Sequence, residues 1–366
     1  MASSANGTHS VNGTHAIHAG LNGTSHTVRR PLTAGIYAPI PTFFQSETED
    51  LGEFAHLESL KLHVVRAAKA GVRPLIAGSM GEAIHLTHNE RIQVIQAARK
   101  ALDDAGLDEI PIIAGTGAGS TRETVELCKE AAGAGADYTI VIASGYFAGV
   151  LATHKPALKA FWTEVAEKSP IPVVIYNYPG ASGGIDLDSE VVTELAMECP
   201  NLAGIKLTCG SVGKLTRICG TVSDSSFSSL YPRKNPDAPF LVLGGFADFL
   251  VPSTYANAHG AITGLANVAP FTIAKLFELS QASLNDPSLL PEAQRLQAIV
   301  SRADYTVAKA SISGTKKLLE KLYGYGGLPR KPLPPIEPAA FDALWAHPDV
   351  QDIVRVEREL GGKASS

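Results

Sequence analysis

Lys206 stands inside an apolar run, "NLAGIKLTCGS" from 201 to 211, with Ile205 before it and Leu207 after it. Lysines are rarely buried without a partner or a task. Taken alone, the segment reads as a short strand whose lysine snorkels to water. Two other side chains bear on that reading: Tyr176 near the end of "IPVVIYN" and Ser79 at the end of "RPLIAGS". Apolar surroundings favour the neutral form of an amine, and a neutral amine attacks a ketone to give a Schiff base. The protonated imine is an electron sink, so an adjacent carbon–carbon bond can break or form. A tyrosine beside it can move protons to and from the carbinolamine, and a serine hydroxyl can relay them. Amine, phenol and hydroxyl form the set for class I aldolase chemistry, which needs no metal and no added cofactor.

The fold has to bring those three groups together. Short apolar runs recur along the chain: 35–44, 73–79, 110–117, 138–144, 171–177, 202–208, 239–245 and 260–266. Amphipathic stretches such as "NERIQVIQAARKAL" (89–102) and "STRETVELCKEAAGAGA" (120–136) lie between most of them. Continuous apolar runs suit a parallel sheet covered on both faces. Strand alternating with helix predicts an α/β fold, a (β/α)8 TIM barrel over 32–268, with a C-terminal helical extension over 269–366. The polar stretch 223–238 reads as a long loop. Chemistry in such a barrel sits at the C-terminal strand ends. Ser79, Tyr146, Tyr176, Lys206 and Thr208 would then share one mouth.

Bulk properties narrow the function classes. The 366 residues are 45% hydrophobic and 18% charged, which suits a soluble globular chain. A net charge of -5 without a basic block argues against nucleic acid as a partner. No run of eighteen apolar residues suggests a membrane span. The 4 cysteines form no CxxC pair and no histidine lies at ligand spacing, so free thiols and no metal site are expected. Residues 1–31 repeat Asn-Gly-Thr at Asn6, Asn12 and Asn22 and read as a disordered extension. No apolar signal core is visible, which favours a cytoplasmic location. The lack of acidic residues before Arg29 and Arg30 leaves a mitochondrial presequence open.

Two glycine-rich turns invite other readings. "GTGAGS" places glycines at Gly115, Gly117 and Gly119, which is not the G-x-G-x-x-G of a dinucleotide loop. "AGSMG" comes near a nucleophile elbow, with Ala77 in place of glycine, and would make Ser79 a hydrolase nucleophile. Asp248 and His259 could complete such a triad, but nothing distinctive surrounds them.

Several segments together resemble the dihydrodipicolinate synthase/N-acetylneuraminate lyase family of class I pyruvate aldolases. They are "AGSMGEAIHLTHNER" (77–91), "IIAGTGAGSTRETVEL", "IYNYPGASG" (175–183), "LAGIKLTCGSVGKLTRI", "HGAITGLANVAP" and "LPRKPLPP". The resemblance implies that Lys206 forms the Schiff base, Tyr176 shuttles protons and Ser79 stands at the hydroxyl relay. It implies that the backbone N–H groups of Ser79 and Met80 bind the carboxylate of a 2-oxo acid and that Gly81 permits a tight turn. Tyr146, Thr208 and Gly264 complete the substrate-binding set. Thr208 reads equally as a strand-end hydroxyl, and Tyr146 as a packing residue. Glu82 is read as structural, near a helix start, and Asn267 as a helix-starting residue.

The departures matter. Phe147 stands where the synthases carry a second tyrosine, and Ala181 where they carry an arginine. Ala181 removes the obvious partner of a second substrate carboxylate, and both changes argue against lysine biosynthesis; "LGGFADFL" and "SPIPVVIYNYP" look more like the 4-hydroxy-2-oxoglutarate and keto-deoxy-sugar-acid aldolase branch. The resemblance also implies a homo-oligomer, a dimer or a dimer of dimers. A dehydratase or hydratase-aldolase on the same imine, and a non-catalytic barrel that binds a 2-oxo acid, are the alternatives. The aldehyde partner is not readable from the residues.

Overall fold

Each apolar run does become a strand, but only part of it stays in the sheet. The computed structural model describes residues 30–44, 55–326 and 328–361. Its strands are β1 (Gly35–Pro39), β2 (Val72–Ile76), β3 (Ile113–Gly115), β4 (Tyr138–Ile142), β5 (Val173–Asn177), β6 (Leu202–Leu207), β7 (Leu241–Gly244) and β8 (Gly260–Ile262). They pair in parallel in chain order, and β8 closes on β1. The result is the (β/α)8 barrel expected. The strands are shorter than the apolar runs because the C-terminal part of several runs leaves the sheet to build the mouth. Ser79 therefore lies three residues beyond β2, in a turn.

The helices α1 (Ala55–Lys69), α2 (His88–Asp104), α3 (Thr121–Gly133), α4 (Ala148–Leu151), α5 (Lys155–Lys168), α6 (Ser189–Glu198) and α7 (Val212–Val222) follow the first six strands. Local signals start them. Thr87 and Glu90 form a reciprocal capping box on α2, and the Ser120 hydroxyl accepts from Glu123 N–H at 3.2 Å to open α3. The stretch expected as a loop holds one short helix, α8 (Phe227–Leu230), because Phe227 is buried and anchors it. Then come α9 (Leu250–Tyr255), α10 (Pro270–Ala282), α11 (Leu290–Lys309), α12 (Ser311–Tyr323), α13 (Pro338–Ala346) and α14 (Pro348–Gly361). Helix α10 packs on β1 and β2, so the outer ring takes in a helix from the segment assigned to the extension. The disorder expected for 1–31 falls outside the described residues except at Arg30 and Pro31.

Strand alternation sorts the side chains into two layers. Tyr37, Leu75, Ile113, Ile140, Val174, Leu243 and Ile262 fill the barrel interior, with Tyr176 among them. The alternate residues Ile36, Ile76, Ile175, Ile205 and Val242 pack outward against helices. Lys206 takes an interior position, one step past outward-facing Ile205. The register pairs it directly with Tyr176. Of the cysteines, Cys128, Cys199 and Cys219 are buried thiols and Cys209 is half-buried. Among the described residues no helix is long and apolar enough to cross a membrane.

Candidate active site

Side-by-side pairing of β5 and β6 carries two polar side chains into one place. Lys206 and Tyr176 are both buried, at 5% and 7% exposure. The Lys206 Nζ donates to the Tyr176 hydroxyl at 3.2 Å and lies 4.2 Å from its ring centroid. No carboxylate takes part in that pairing. Tyr178, two residues on, stacks on Tyr176 with centroids 5.6 Å apart and planes at 27°. Burial raises the Tyr178 phenol above its usual pKa, and Tyr176 adds to the effect.

In front of this pair lies a cavity of about 330 Å³, bounded by Ser79, Gly117, Ile142, Tyr146, Tyr176 and Ala181 among others. Lys206 does not line it directly; its amine sits one hydrogen bond behind, at Tyr176. The cavity walls needed small residues that sequence reasoning did not select. A Cβ on Gly115 would fall 2.0 Å from the Ala77 carbonyl oxygen, and one on Gly117 would fall 2.8 Å from the Ile142 side chain. The glycines of "GTGAGS" thus serve close packing beside the mouth. Arg91 braces the same wall, donating to the carbonyls of Ala83 at 2.7 Å and Gly115 at 3.3 Å.

The turn from Ala77 to Glu82 has unusual backbone. Ala77 and Glu82 take left-handed conformations, with φ of 53° and 54°. Such non-glycine residues each cost on the order of 1 kcal/mol and gather at functional sites. Gly81 is needed for another reason than turn freedom: a Cβ there would approach the Ile40 carbonyl oxygen to 2.9 Å. The Thr42 hydroxyl holds the Gly81 carbonyl at 2.7 Å. Among the described residues no acceptor takes the N–H groups of Ser79, Met80 or Gly81. Three successive unsatisfied N–H groups beside a cavity suit an anion.

The remaining predicted residues lie around this centre. The Met80 methyl group rests against Gly264, 3.2 Å from where a Cβ would be. Thr208 has a buried hydroxyl with no partner among the described residues, pressed against Gly245. Tyr146 is 88% exposed and meets Phe147 edge-on at 5.0 Å. Ser79 shares the cavity with Tyr176, but no hydrogen bond joins them, so the relay is not closed in this structure. Nor does Ser79 bond to a histidine among the described residues. His259 instead accepts from Val242 N–H at 3.0 Å, which leaves the hydrolase triad unassembled.

Several expectations need correction. Glu82 does not cap a helix: its fully covered carboxylate meets Lys316 at 2.9 Å, Arg330 N–H at 2.8 Å and His85 at 3.2 Å. Asn267 does not start a helix: it ends a 3-10 turn, and its amide donates to the carbonyls of Pro39 and Gly264, each at 3.0 Å. Its other end meets His63 at 3.0 Å, and burial pushes the His63 pKa down to about 4. His88 pairs with Glu130 at 2.9 Å, and His154 accepts from Ala157 N–H at 3.1 Å. Among the described residues no group of three or more His, Cys, Asp or Glu is placed to hold a metal.

Known proteins resemble the chain over most of its length. Residues 33–345 match the Dihydrodipicolinate synthetase family. The chain is 39% identical to the L-threo-3-deoxy-hexylosonate aldolase of Hypocrea jecorina, over 90% of this chain and 98% of that one. It is equally 39% identical to an Emericella nidulans protein named "Probable 4-hydroxy-2-oxoglutarate aldolase, mitochondrial", with the same shares covered. A crystal structure of a dihydrodipicolinate synthase family protein from Coccidioides immitis superposes with a TM-score of 0.74 at 34% identity, covering 91% of this chain and 99% of that one. The match spans both the strands that carry the lysine–tyrosine pair and the helices behind them, and on it the chain belongs to the Dihydrodipicolinate synthetase family.

Proposed function

We propose that this protein is a class I aldolase that forms a Schiff base between Lys206 and a 2-oxo acid of the pyruvate type. The observation that carries the reading is the buried Lys206–Tyr176 contact at 3.2 Å, set by the register of β5 and β6. The free N–H groups of the Ser79–Gly81 turn bind the carboxylate of the 2-oxo acid. Lys206 attacks the adjacent carbonyl. Tyr176 carries the proton that leaves with water as the carbinolamine becomes an imine. The imine then accepts the electron pair of the breaking carbon–carbon bond, and the aldehyde departs. In the reverse direction the enamine attacks the aldehyde. Ser79 relays protons when substrate fills the gap to Tyr176. The reading calls for no metal and no added cofactor.

The substrate class follows the relatives and the cavity wall together. The relatives named above act, by their names, on a 3-deoxy-hexulosonate and on 4-hydroxy-2-oxoglutarate. Ala181 forms part of the wall and offers no cation for a further carboxylate. This favours a keto-deoxy-sugar acid, whose aldehyde half carries hydroxyls, over a dicarboxylic substrate. The protein works as a homo-oligomer on these small molecules. The Emericella nidulans relative carries "mitochondrial" in its name, which favours that side of the compartment expectation over the cytoplasmic one. The test is a panel of aldehydes incubated with pyruvate and read by product mass. Polyhydroxy aldehydes such as glyceraldehyde should give aldol products with wild type and none with Lys206→Ala. Products that persist in Lys206→Ala would defeat the assignment.

A further inference from the structure

The turn that offers its N–H groups to an anion is held from a distant part of the chain. Glu82, the last residue of that turn, has a side chain with 0% exposure, and so has Lys316 on α12. Their charges meet at 2.9 Å across 234 residues of sequence. The Lys316 Nζ also donates to the Leu328 carbonyl at 2.8 Å and lies 4.6 Å from the Phe44 ring centroid. Arg330 comes to the same spot. Its N–H reaches Glu82, and its guanidinium grips Glu90 at 2.7 Å and the His85 carbonyl at 2.8 Å. Arg330, in the strap after α12, therefore ties Glu82, His85 and Glu90 to one point, beside the Lys316 contact from α12 itself.

Stability alone is a weak reason for such a pair. Burying two charges is costly, and a well-packed apolar pair in the same volume is often as stable. Fixing one backbone geometry is a better reason, because Glu82 is held in a left-handed conformation that an unconstrained glutamate would leave. If Glu82 relaxed, its N–H bond to the Ser79 carbonyl at 3.0 Å would be lost, and with it the shape of the turn.

Resting on the aldolase reading above, we infer that the C-terminal extension belongs to the catalytic unit. Through Lys316 and Glu82 it holds the Ser79–Gly81 turn in the shape that receives the substrate carboxylate. Lys316 and Glu82 are positioning residues for carboxylate recognition and take no part in the imine chemistry.

The test compares two carbonyl compounds on the full-length protein. Borohydride trapping at Lys206 is followed with pyruvate, which has the carboxylate, and with hydroxyacetone, which lacks it. In Glu82→Gln and in Lys316→Met the pyruvate-dependent rate at sub-saturating concentration should fall about tenfold or more. The hydroxyacetone-dependent rate should stay within about twofold of wild type. Loss of both rates in equal measure in a folded variant, or loss of neither, would overturn the inference. Should the single variants not fold, the double variant Glu82→Gln/Lys316→Met leaves neither charge of the pair unpaired and should show the same pyruvate-selective loss; equal rates there would overturn it too. Absence of any pyruvate adduct in wild type would instead strike the aldolase reading itself.

Discussion

Replacing Tyr176 with phenylalanine removes one oxygen and little else. The ring remains to stack on Tyr178 and to fill its place in the barrel interior. What goes is the acceptor of the Lys206 amine, 3.2 Å away. A lost hydrogen bond of this kind costs about 1 kcal/mol, and leaving the buried amine unpaired raises that toward about 3 kcal/mol. A domain of this size tolerates such a loss, so the variant should fold. The chemical step suffers more. Proton transfer by a positioned side chain contributes about 10²–10⁴ in rate, equivalent to roughly 3–5 kcal/mol of barrier. Tyr176→Phe should therefore lower kcat for aldol cleavage at least about a hundredfold while KM for the 2-oxo acid changes little. Urea unfolding gives the stability change, and pyruvate release gives kcat. A variant that keeps kcat within about threefold of wild type would refute the proton-transfer role.

Other perturbations read other parts of the structure. Burial pushes the Asp304 carboxyl up to about 7, with nearby Asp248 adding to it. Its folded pKa exceeds the unfolded value, so its contribution favours folding below about pH 4 and is lost as pH rises through about 7. Asp304→Asn keeps an acceptor for Ala247 N–H and should gain up to about 4 kcal/mol in urea unfolding at pH 8, but nothing at pH 4. An equal change at both pH values would contradict this. Ser79→Ala should leave stability within about 0.5 kcal/mol, since the hydroxyl has no partner among the described residues, yet slow turnover about tenfold; unchanged turnover would remove Ser79 from the relay. Gly245→Ala would set a Cβ 2.1 Å from the Thr208 hydroxyl and 2.5 Å from its Cα, so it should destabilise by about 1–3 kcal/mol. A thermal midpoint equal to wild type would show that β6 shifts without cost.

The barrel was legible because its signal is local and repeated. Each apolar run marks a strand, and capping residues such as Thr87 and Ser120 mark helix starts. The lysine and tyrosine were legible for the same reason: both sit at the ends of such runs, and adjacent parallel strands align their ends. Strand termini were less so, since Ser79 and Gly264 share the apolar character of the runs but lie in turns outside the sheet. The clasp of Glu82 by Lys316 and Arg330 had no local signal at all. It joins residues far apart in sequence, and a lysine inside an amphipathic helix looks like any solvated lysine until the fold buries it. The packing role of Gly115 was hidden likewise, because only the approach of the Ala77 carbonyl shows why a side chain is not tolerated.

The central claim is that one buried amine, Lys206, forms an imine with a 2-oxo acid. Borohydride reduction of the protein in the presence of pyruvate, followed by peptide mass analysis, tests it most directly. The account predicts a single covalent adduct on the peptide that carries Lys206, absent when pyruvate is omitted and absent in Lys206→Ala. No adduct, or an adduct on another lysine, would contradict it.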